Sequence, residues 1–493
     1  MIEKRDIAAL LKAVGIPDGT GSFVHGKFVK GEGSAIEIRD PSDGAVAYSF
    51  ADADPGLVDR AAKSSASGLS KWQGMSARDR AKVLRAISSA VNQSTEALAQ
   101  LESASSGKII KGARAQLDLV VDMLDYYAGW ADKFTGDVIP VPGGQLNYTV
   151  REPLGVILQV TPWNSPLYLA VWNAAPALAM GNAVLLKPSE LTSLTALAFA
   201  KIAVEAGLPP GVLNVICGYG QSTVQPLIQR GEVKKVVFVG STSTGRKVAA
   251  QAAARPIPCL LELGGKSANI VFADADLERA ADAALLAGYA NTGQNCAAGS
   301  RLLVQKGIYD KFIALLEGRL SRYRIGSPLD EDIEIGPINN ELQLKRINEM
   351  VVRGVADGAR RISGNAVPSS NGYFVSPTIL ADATNEMSVA REEIFGPVIV
   401  AIPFETEADA IAIANDNEFG LAGAVWTRDI ARGHRVANKV NAGLFWINMY
   451  REMHVSSPFG GNDSSGYGRS SGVEALYEYT RTKSVWLPIA EGS

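Results

Sequence analysis

One cysteine stands in a setting suited to nucleophilic chemistry. Cys296 follows an alanine-rich helical pattern over 277–290 and precedes an apolar, strand-like run over 301–304. Gly293 breaks the helical pattern, so the cysteine is expected on a connection between the two elements. A nucleophilic thiol must be accessible to its substrate, whereas a structural cysteine is usually buried within an apolar element. The position favours a nucleophile, although a lone cysteine is more often a small buried side chain.

Three glycine-containing segments could bind phosphate. They are GYGQST (218–223), GSTSTGRK (240–247) and GGKS (264–267), and each follows a strand-like run. None completes a P-loop or the dinucleotide-binding fingerprint, and each alone is more typical of a tight turn. Because backbone N–H groups at helix N-termini attract phosphate, three such segments after successive strands favour a phosphate-binding region.

The composition is that of a water-soluble globular protein. The chain has 493 residues, enough for two or three domains, and is 47% hydrophobic and 20% charged. Its net charge of −3 gives no electrostatic signature of a nucleic-acid or anionic-membrane partner. Three cysteines without a CxxC pair and three histidines without ligand spacing predict neither a metal site nor a disulfide framework. A reducing, cytoplasmic compartment is expected.

No targeting or membrane segment is expected. The N-terminal sequence MIEKRDIAALLKAVG is charged early and lacks the sustained apolar run of a secretory signal. The most apolar region, 167–186, is interrupted by Asn173, Pro176 and Asn182, which a membrane span would not readily accept.

The elements that position the candidate residues form an α/β pattern. From residue 156 onward, near-continuous apolar strands alternate with helices, which predicts a parallel sheet covered on both faces. Ligands bind at the carboxyl ends of such strands, where Asn164 and Lys187 lie. A second, less regular α/β region follows over 301–448, and 449–472 is predicted to be a long functional loop.

Two further patterns flank this region. The segment 54–127 predicts two long amphipathic helices. Two extended segments, 138–142 and 146–150, surround a pair of glycines and predict a projecting hairpin that could serve in assembly.

Eight motifs, in order along nearly the whole chain, resemble those of the aldehyde dehydrogenase superfamily. They are REPLGVILQVTPWNSP (151–166), GNAVLLKPSE (181–190), FVGSTSTG (238–245), LELGGKS (261–267), NTGQNC (291–296), EEIFGPV (392–398), GLFWIN (443–448), and PFGG with SGYGR (458–469). The resemblance implies oxidation of a small-molecule aldehyde to the carboxylic acid. It also makes a nucleophile, and not a small buried side chain, the favoured interpretation of Cys296.

The resemblance also implies the catalytic roles. Cys296 would attack the aldehyde carbonyl, since a thiol is a strong nucleophile even when only a few per cent is ionised. The side-chain amide of Asn164 and the backbone N–H of Cys296 would hold the resulting oxyanion. Glu262 would activate the water that hydrolyses the thioester, and its presence favours hydrolysis over transfer to coenzyme A.

For the cofactor, the resemblance implies NAD. The carboxylate of Glu190 would accept from the ribose hydroxyls and repel a 2′-phosphate, although Lys187 could partly compensate and NADP stays possible. The implied cofactor-binding residues are Trp163, Lys187, Glu190, Gly220, Gly240, Ser241, Gly245, Glu393 and Phe395.

The implied substrate tunnel departs from the family pattern. Ser165 stands where a bulky aromatic is common, which should widen the entrance, and Ser470 stands where a glutamate is common. Arg451 could bind a carboxylate-bearing semialdehyde, with pairing to Glu452 or another acid as the alternative. The tunnel residues are predicted to be Ser165, Trp172, Arg451, Met453 and Phe459.

The implied architecture has three parts. They are a Rossmann-like parallel-sheet cofactor domain (1–130 and 150–260), a second α/β catalytic domain (261–455) and a small β oligomerisation arm (131–149 and 470–493). Trp486 and the apolar hairpin favour a homodimer or a homotetramer. A non-catalytic scaffold of the same fold and a cysteine hydrolase are the alternatives; a scaffold has no need of all three catalytic residues, and a hydrolase would leave the Lys187 and Glu190 pair without a role.

Overall fold

The computed structural model describes residues 7–489. The first six residues of the N-terminal segment and the last four of the predicted arm lie outside this range. The helices are α1 (Ile7–Val14), α2 (Pro55–Gln73), α3 (Ala77–Gln93), α4 (Thr95–Ser106), α5 (Ile110–Trp130), α6 (Pro166–Ala179), α7 (Leu194–Glu205), α8 (Val224–Ile228), α9 (Thr242–Ala253), α10 (Leu277–Tyr289), α11 (Tyr309–Leu320), α12 (Glu341–Ala356), α13 (Ser388–Arg391), α14 (Glu407–Asn415), α15 (Ile430–Lys439) and α16 (Glu474–Glu478).

The strands are β1 (Ser22–Val24), β2 (Lys27–Val29), β3 (Ala35–Arg39), β4 (Val46–Ala51), β5 (Val138–Ile139), β6 (Gln145–Pro153), β7 (Val156–Val160), β8 (Ala183–Lys187), β9 (Leu213–Val215), β10 (Val233–Val239), β11 (Cys259–Glu262), β12 (Ala268–Val271), β13 (Arg301–Gln305), β14 (Arg360–Ser363), β15 (Thr378–Ala381), β16 (Val398–Phe404), β17 (Phe419–Gly420), β18 (Ala422–Trp426), β19 (Leu444–Ile447), β20 (Asn462–Asp463), β21 (Gly466–Tyr467) and β22 (Thr480–Pro488). They form two large sheets and three small ones.

The first large sheet has the strand order β2-β1-β9-β8-β7-β10-β11-β21. Its central strands, β9 to β11, are parallel, while β1 and β21 add antiparallel at its two sides. The chain runs from β7 to β9 on one side and then returns to β10 on the other. The carboxyl ends of β7 and β10 therefore flank a topological switch point, where ligands bind in sheets of this kind.

Both faces of this sheet are covered, as the continuous apolar strands predict. Every residue of β7 and β8 is buried. Side chains alternate between two cores, with Ile157 packed on one face and Val156 and Leu158 on the other. A parallel sheet buried on both faces has no need of polar residues in its strands.

The second large sheet has the order β14-β15-β16-β13-β12-β18-β19. All of its pairs are parallel except β14 with β15. Its strands likewise alternate between two cores, with Leu303 on one face and Leu302 and Val304 on the other. The connection that carries Cys296 leads into β13, one of its inner strands.

The predicted hairpin is present and takes a third strand from the C-terminal region. β6 pairs with β5, and it pairs antiparallel with β22 from Gln145↔Pro488 to Pro153↔Thr480. Val138 is 73% exposed and Trp486 is 56% exposed on this small sheet. Exposed apolar side chains of this size are typical of a contact surface.

Two sequence predictions differ from the structure: the number of helices in 54–127 and the start of the C-terminal part of the arm. The segment 54–127 folds into four helices, α2 to α5, where two were predicted. Ser76 caps the start of α3, and α4 ends at Gly107, which adopts the left-handed conformation with φ 81°. Residues 470–479, predicted for the arm, instead pack with the first domain, because Leu476 and Tyr479 are fully buried in the core that also contains α5 and α6.

None of the helices between residues 7 and 489 has the length and apolar character needed to span a bilayer.

Candidate active site

A cavity of about 930 Å³ lies at the switch point of the first sheet and extends to the connection that carries Cys296. Residues that follow β7, β8, β10 and β11 line one part of it, and α5, α6 and the 449–472 loop line another. All predicted site residues except Gly220 and Gly245 line this cavity.

The two exceptions serve the local backbone. Gly220 lies at the turn into α8, where its carbonyl accepts the N–H groups of Val224 and Gln225. Gly245 lies in α9, and a Cβ there would come within 2.4 Å of the Leu263 side chain. The small size of Gly245 therefore lets α9 pack closely against Leu263. The positions of Gly220 and Gly245 give no support to the prediction that these two glycines contact the cofactor.

The Cys296 connection is held in a tight, unusual conformation. A short 3₁₀ turn, Ala290–Gly293, ends α10, and both Asn291 and Thr292 adopt left-handed φ angles of 55° and 56°. A Cβ on Gly265 would lie 2.5 Å from the Cys296 carbonyl oxygen, so the two connections pack backbone to backbone. Strained backbone of this kind tends to occur at functional sites.

The pKa of the Cys296 thiol is raised to about 12, chiefly by burial and to a smaller extent by the carboxyl groups of Glu393 and Glu262. The N–H groups of Ala297 and of Cys296 itself act in the opposite direction. The resting thiol is therefore protonated at neutral pH, and its proton must leave as the sulfur attacks. Within residues 7–489 the Cys296 N–H donates to no other residue. It is available to a new acceptor formed near the sulfur.

The side chain of Asn164 is fixed against the same connection. Its Nδ2 donates to the Gln294 carbonyl at 3.0 Å, and Asn291 Nδ2 donates to the Asn164 carbonyl at 2.9 Å. Asn164 follows β7, whereas Gln294 and Asn291 follow α10. These bonds join the two parts of the cavity and anchor the Asn164 amide at Gln294, two residues before Cys296.

Glu262 ends β11 and is buried, with 6% of its surface exposed. Its Oε1 accepts from Ser470 Oγ at 2.6 Å, and its Oε2 is buried without a partner among the described residues. Burial raises the pKa of this carboxyl to about 8, against the opposing effects of Ser470 and Arg469. A carboxyl group with a pKa near neutral pH suits proton transfer.

The residues expected around a nucleotide form what we call the strand-end wall: Lys187, Glu190, Gly240 and Ser241. Lys187 Nζ pairs with Glu190 Oε2 at 2.8 Å. Ser241 caps the start of α9, its Oγ accepting from the Thr244 N–H, so the helix N-terminus opens beside the cavity. Its free N–H groups favour an anion.

Glu393 and Phe395 line the same cavity as the strand-end wall and Cys296. Glu393 Oε1 accepts the Gly265 N–H at 3.1 Å, and burial raises the pKa of its carboxyl to about 7. Phe395 has a left-handed φ of 55° and meets the Trp163 ring edge to face at 5.4 Å. A carboxylate beside two aromatic rings could hold a ribose and a flat heterocycle.

The opposite part of the cavity, here named the aromatic wall, consists of Tyr168, Trp172, Met453 and Phe459 with Arg451. The Trp172 ring contacts the rings of Tyr168 and Phe459 edge to face, at 4.8 and 5.2 Å between centroids. Arg451 is half-buried and has a left-handed φ of 70°. The predicted alternative of pairing with Glu452 is not observed.

Ser165 lines the cavity and is hydrogen-bonded by two longer side chains. Lys108 Nζ and Gln116 Nε2 donate to Ser165 Oγ at 3.0 and 3.1 Å, and Lys108 also donates to the Gln116 side-chain oxygen. The three side chains form a polar cluster on the cavity surface.

Lys108, Gln116 and Tyr168 also line the cavity, although no sequence pattern predicts them, and Ser470 stands out in the sequence only as a departure from the family pattern. Lys108 lies between two helices whose separation was not predicted, and Tyr168 and Gln116 resemble ordinary helical residues. Ser470 was the one signal that the sequence offered for these four residues. A serine in place of the glutamate common in the family must change the contacts of the side chain that this position faces.

The sequence and the fold both match known proteins. The sequence model of the aldehyde dehydrogenase family matches residues 28–485. A betaine aldehyde dehydrogenase of Cereibacter sphaeroides is 42% identical over 467 residues, which are 94% of this chain and 96% of that protein. An aldehyde dehydrogenase of Emericella nidulans is 41% identical over 468 residues, 94% of each chain.

Among solved structures, a betaine aldehyde dehydrogenase from Staphylococcus aureus in complex with NAD+ has a TM-score of 0.94 and 35% identity, covering 99% of this chain and 98% of that one. These findings confirm the predicted fold class, the oxidation of an aldehyde and the use of NAD. With the motifs, the sheets and the cavity in agreement, the chain belongs to the aldehyde dehydrogenase family.

Proposed function

We propose that this chain oxidises its aldehyde through a covalent intermediate on Cys296, with Asn164 and Glu262 in the roles that the sequence predicted. The observation that carries the proposal is the convergence of the three side chains on one cavity from β7, β11 and the connection before β13. A scaffold protein has no need of that convergence.

In the first step the Cys296 sulfur attacks the aldehyde carbon, and the thiol proton leaves. Because the pKa of the thiol is raised, this proton leaves as the carbon–sulfur bond forms, and it passes to water, so the Glu262 carboxylate is not needed until the thioester is hydrolysed. The Asn164 amide and the Cys296 N–H stabilise the oxyanion of the thiohemiacetal.

The strand-end wall, together with Glu393 and Phe395, offers hydrogen-bonding groups that match those of NAD. Glu190 and Glu393 offer carboxylates to ribose hydroxyls, and the N-terminus of α9 offers N–H groups to a pyrophosphate. NAD, when bound there, supplies the acceptor for the hydride, and the carbon held on Cys296 becomes a thioester. The Glu190 carboxylate disfavours a 2′-phosphate, so we propose a preference for NAD over NADP.

In the last step a water molecule hydrolyses the thioester and releases the acid. Glu262 is the proposed base that takes a proton from this water. Ser470 holds one carboxylate oxygen at 2.6 Å, while the other has no partner among the described residues and is the one free to accept the proton.

The test is Cys296→Ala, assayed by NADH absorbance with an aldehyde panel. The account predicts that the variant binds NAD but oxidises none of the aldehydes. Cys259→Ala is the matched control, because Cys259 is also a partly exposed free cysteine and lies outside the cavity. Turnover by the Cys296 variant would refute the covalent mechanism, and ester cleavage without NAD would favour a cysteine hydrolase.

We further propose a homodimer or homotetramer assembled through the arm, located in the cytoplasm. The exposed Val138 and Trp486 on the small β sheet support assembly. All three cysteines are free, which suits a reducing compartment. Light scattering of the intact protein and of a Val138→Asp, Trp486→Ser variant tests the arm, and an unchanged oligomer in the variant would refute its role.

A further inference from the structure

Arg451 is a cation in the cavity without a partner. Among residues 7–489 it forms neither an ion pair nor a hydrogen bond through its guanidinium group, although it is half-buried and lines the cavity. The titratable groups that act on it electrostatically are the phenols of Tyr450 and Tyr168, which are neutral at neutral pH. A guanidinium group has five donors, and those of Arg451 are left free for a ligand in the cavity.

The backbone at Arg451 is also constrained. Its φ of 70° lies in the left-handed region that favours glycine, and the residue occurs four positions after the end of β19. Trp446 Nε1 donates to the carbonyl of the next residue, Glu452, at 2.9 Å. This bond fixes the turn so that Arg451 lines the cavity while Glu452 is exposed.

Lys108 adds a second cation on the same side. It is 5% exposed, lines the cavity, and uses its ammonium group to donate to Ser165 and Gln116. Glu102 lies near enough to attract it but forms no ion pair with it, since that carboxylate accepts from the Leu167 N–H and the Thr195 hydroxyl.

The carboxylates of the cavity are engaged elsewhere. Glu190 pairs with Lys187, and Glu334 pairs with Lys111. Glu393 accepts the Gly265 N–H and Glu262 accepts from Ser470. Glu102 attracts Lys108, but no carboxylate among the described residues pairs with Arg451, so the cavity is positive at this residue.

We propose that the substrate is an aldehyde that carries a carboxylate at its far end, and that Arg451 binds this carboxylate with Lys108 close by. The inference rests on the proposed covalent oxidation at Cys296 and adds the chemical class of its substrate. Cys296 and Arg451 line one cavity, and their chain neighbours are in contact, since the Tyr450 hydroxyl donates to the Ala297 carbonyl at 3.1 Å. One small molecule can therefore reach the nucleophile and the cation together. Arginine favours carboxylates because its planar group can donate two parallel hydrogen bonds.

The proposal separates this chain from relatives named for betaine aldehyde, a quaternary ammonium compound. The aromatic wall alone would suit such a cation, because aromatic faces attract quaternary ammonium groups. Arg451 opposes it, since like charges in a sheltered cavity repel. Betaine aldehyde is therefore expected to be a poor substrate.

The experiment compares kcat/KM for succinic semialdehyde, the neutral pentanal and betaine aldehyde in the intact enzyme with NAD. Succinic semialdehyde should be preferred over pentanal by about 10- to 100-fold, the range of one charged hydrogen-bonded contact, and betaine aldehyde should be the poorest. Arg451→Gln should abolish most of this preference, and Arg451→Lys should restore part of it, since the charge returns without the planar fork.

Glu452→Gln is the matched control, because it removes an adjacent charge that lies outside the cavity and should leave the preference unchanged. Equal kcat/KM for the acid and neutral aldehydes, a preference for betaine aldehyde, or an unaltered preference in Arg451→Gln would each overturn the inference while leaving the proposed function standing. Oxidation of none of the three aldehydes would overturn both.

Discussion

The strand-end wall and the aromatic wall differ in whether their charged side chains are paired. On the strand-end wall Lys187 and Glu190, three residues apart, pair with each other at 2.8 Å. On the aromatic wall Arg451 has no partner among the described residues, and in the polar cluster with Ser165 and Gln116 Lys108 donates only to neutral groups. The first wall is complete before a ligand arrives and suits a cofactor common to a family. The second wall leaves donors for the ligand, which suits the selection of one substrate class.

Glu262→Gln should have the largest effect, because it removes the proposed base of the hydrolysis step, which neither wall can replace. We expect steady-state oxidation to fall by about 10²–10⁴-fold, since the amide cannot take a proton from water. One rapid burst of NADH should precede the stall, because the proposed role of Glu262 lies in hydrolysis and not in the attack by Cys296. Stopped-flow absorbance measures both phases, and Glu205→Gln, an exposed glutamate of α7, is the control. An undiminished steady rate would show that another group activates water.

Asn164→Ala should lower kcat by about 10²–10³-fold, the cost of one oxyanion donor. The KM for the aldehyde should change much less, because the amide acts chiefly on the charge that develops after attack. Steady-state kinetics with pentanal give both numbers. A rise in KM at constant kcat would instead assign Asn164 to substrate binding.

Glu190→Ser should narrow the preference for NAD over NADP by about tenfold, the value of one hydrogen bond to a charged group. The variant frees Lys187, which can then face a 2′-phosphate. The ratio of kcat/KM for the two cofactors is the measurement, and Glu205→Ser is the matched control. An unchanged ratio would show that the strand-end wall does not contact the adenosine ribose.

Ser470→Ala should produce the smallest change, a shift in pH dependence. The Ser470 hydroxyl stabilises the ionised Glu262, whose pKa is about 8, so the rate should rise with pH through that value in the parent enzyme. Removing the hydroxyl should raise the pKa of Glu262 and move this rise to higher pH. Ser471→Ala is the control, because its hydroxyl donates to the Val455 carbonyl instead. Identical pH profiles would contradict the contact.

The parts of the fold that follow local rules were predictable. The apolar strands β7, β8 and β10 and the helices after them could be identified because a parallel sheet needs continuous apolar runs. The four-helix region could not, since the break at Gly107 depends on a left-handed backbone that glycine permits but does not require. The predicted start of the C-terminal arm at residue 470 was wrong, because Tyr479 is buried by packing with residues far away in the sequence.

The site divides in the same way. Cys296, Glu262 and Asn164 were found because each stands in a recognisable motif at the end of an element. Lys108 and Tyr168 were not, because only the packing of α4, α5 and α6 brings them to the cavity. The contact of Ser470 with Glu262 joins residues 208 positions apart, and no local pattern encodes it.

The most direct test of the account is mass spectrometry of Glu262→Gln after acid quenching with pentanal and NAD. The account predicts that a pentanoyl group, linked as a thioester, accumulates on the peptide that contains Cys296 and is absent when NAD is omitted. A protein without added mass during NADH formation, or an acyl group on Cys259 or Cys217, would contradict it.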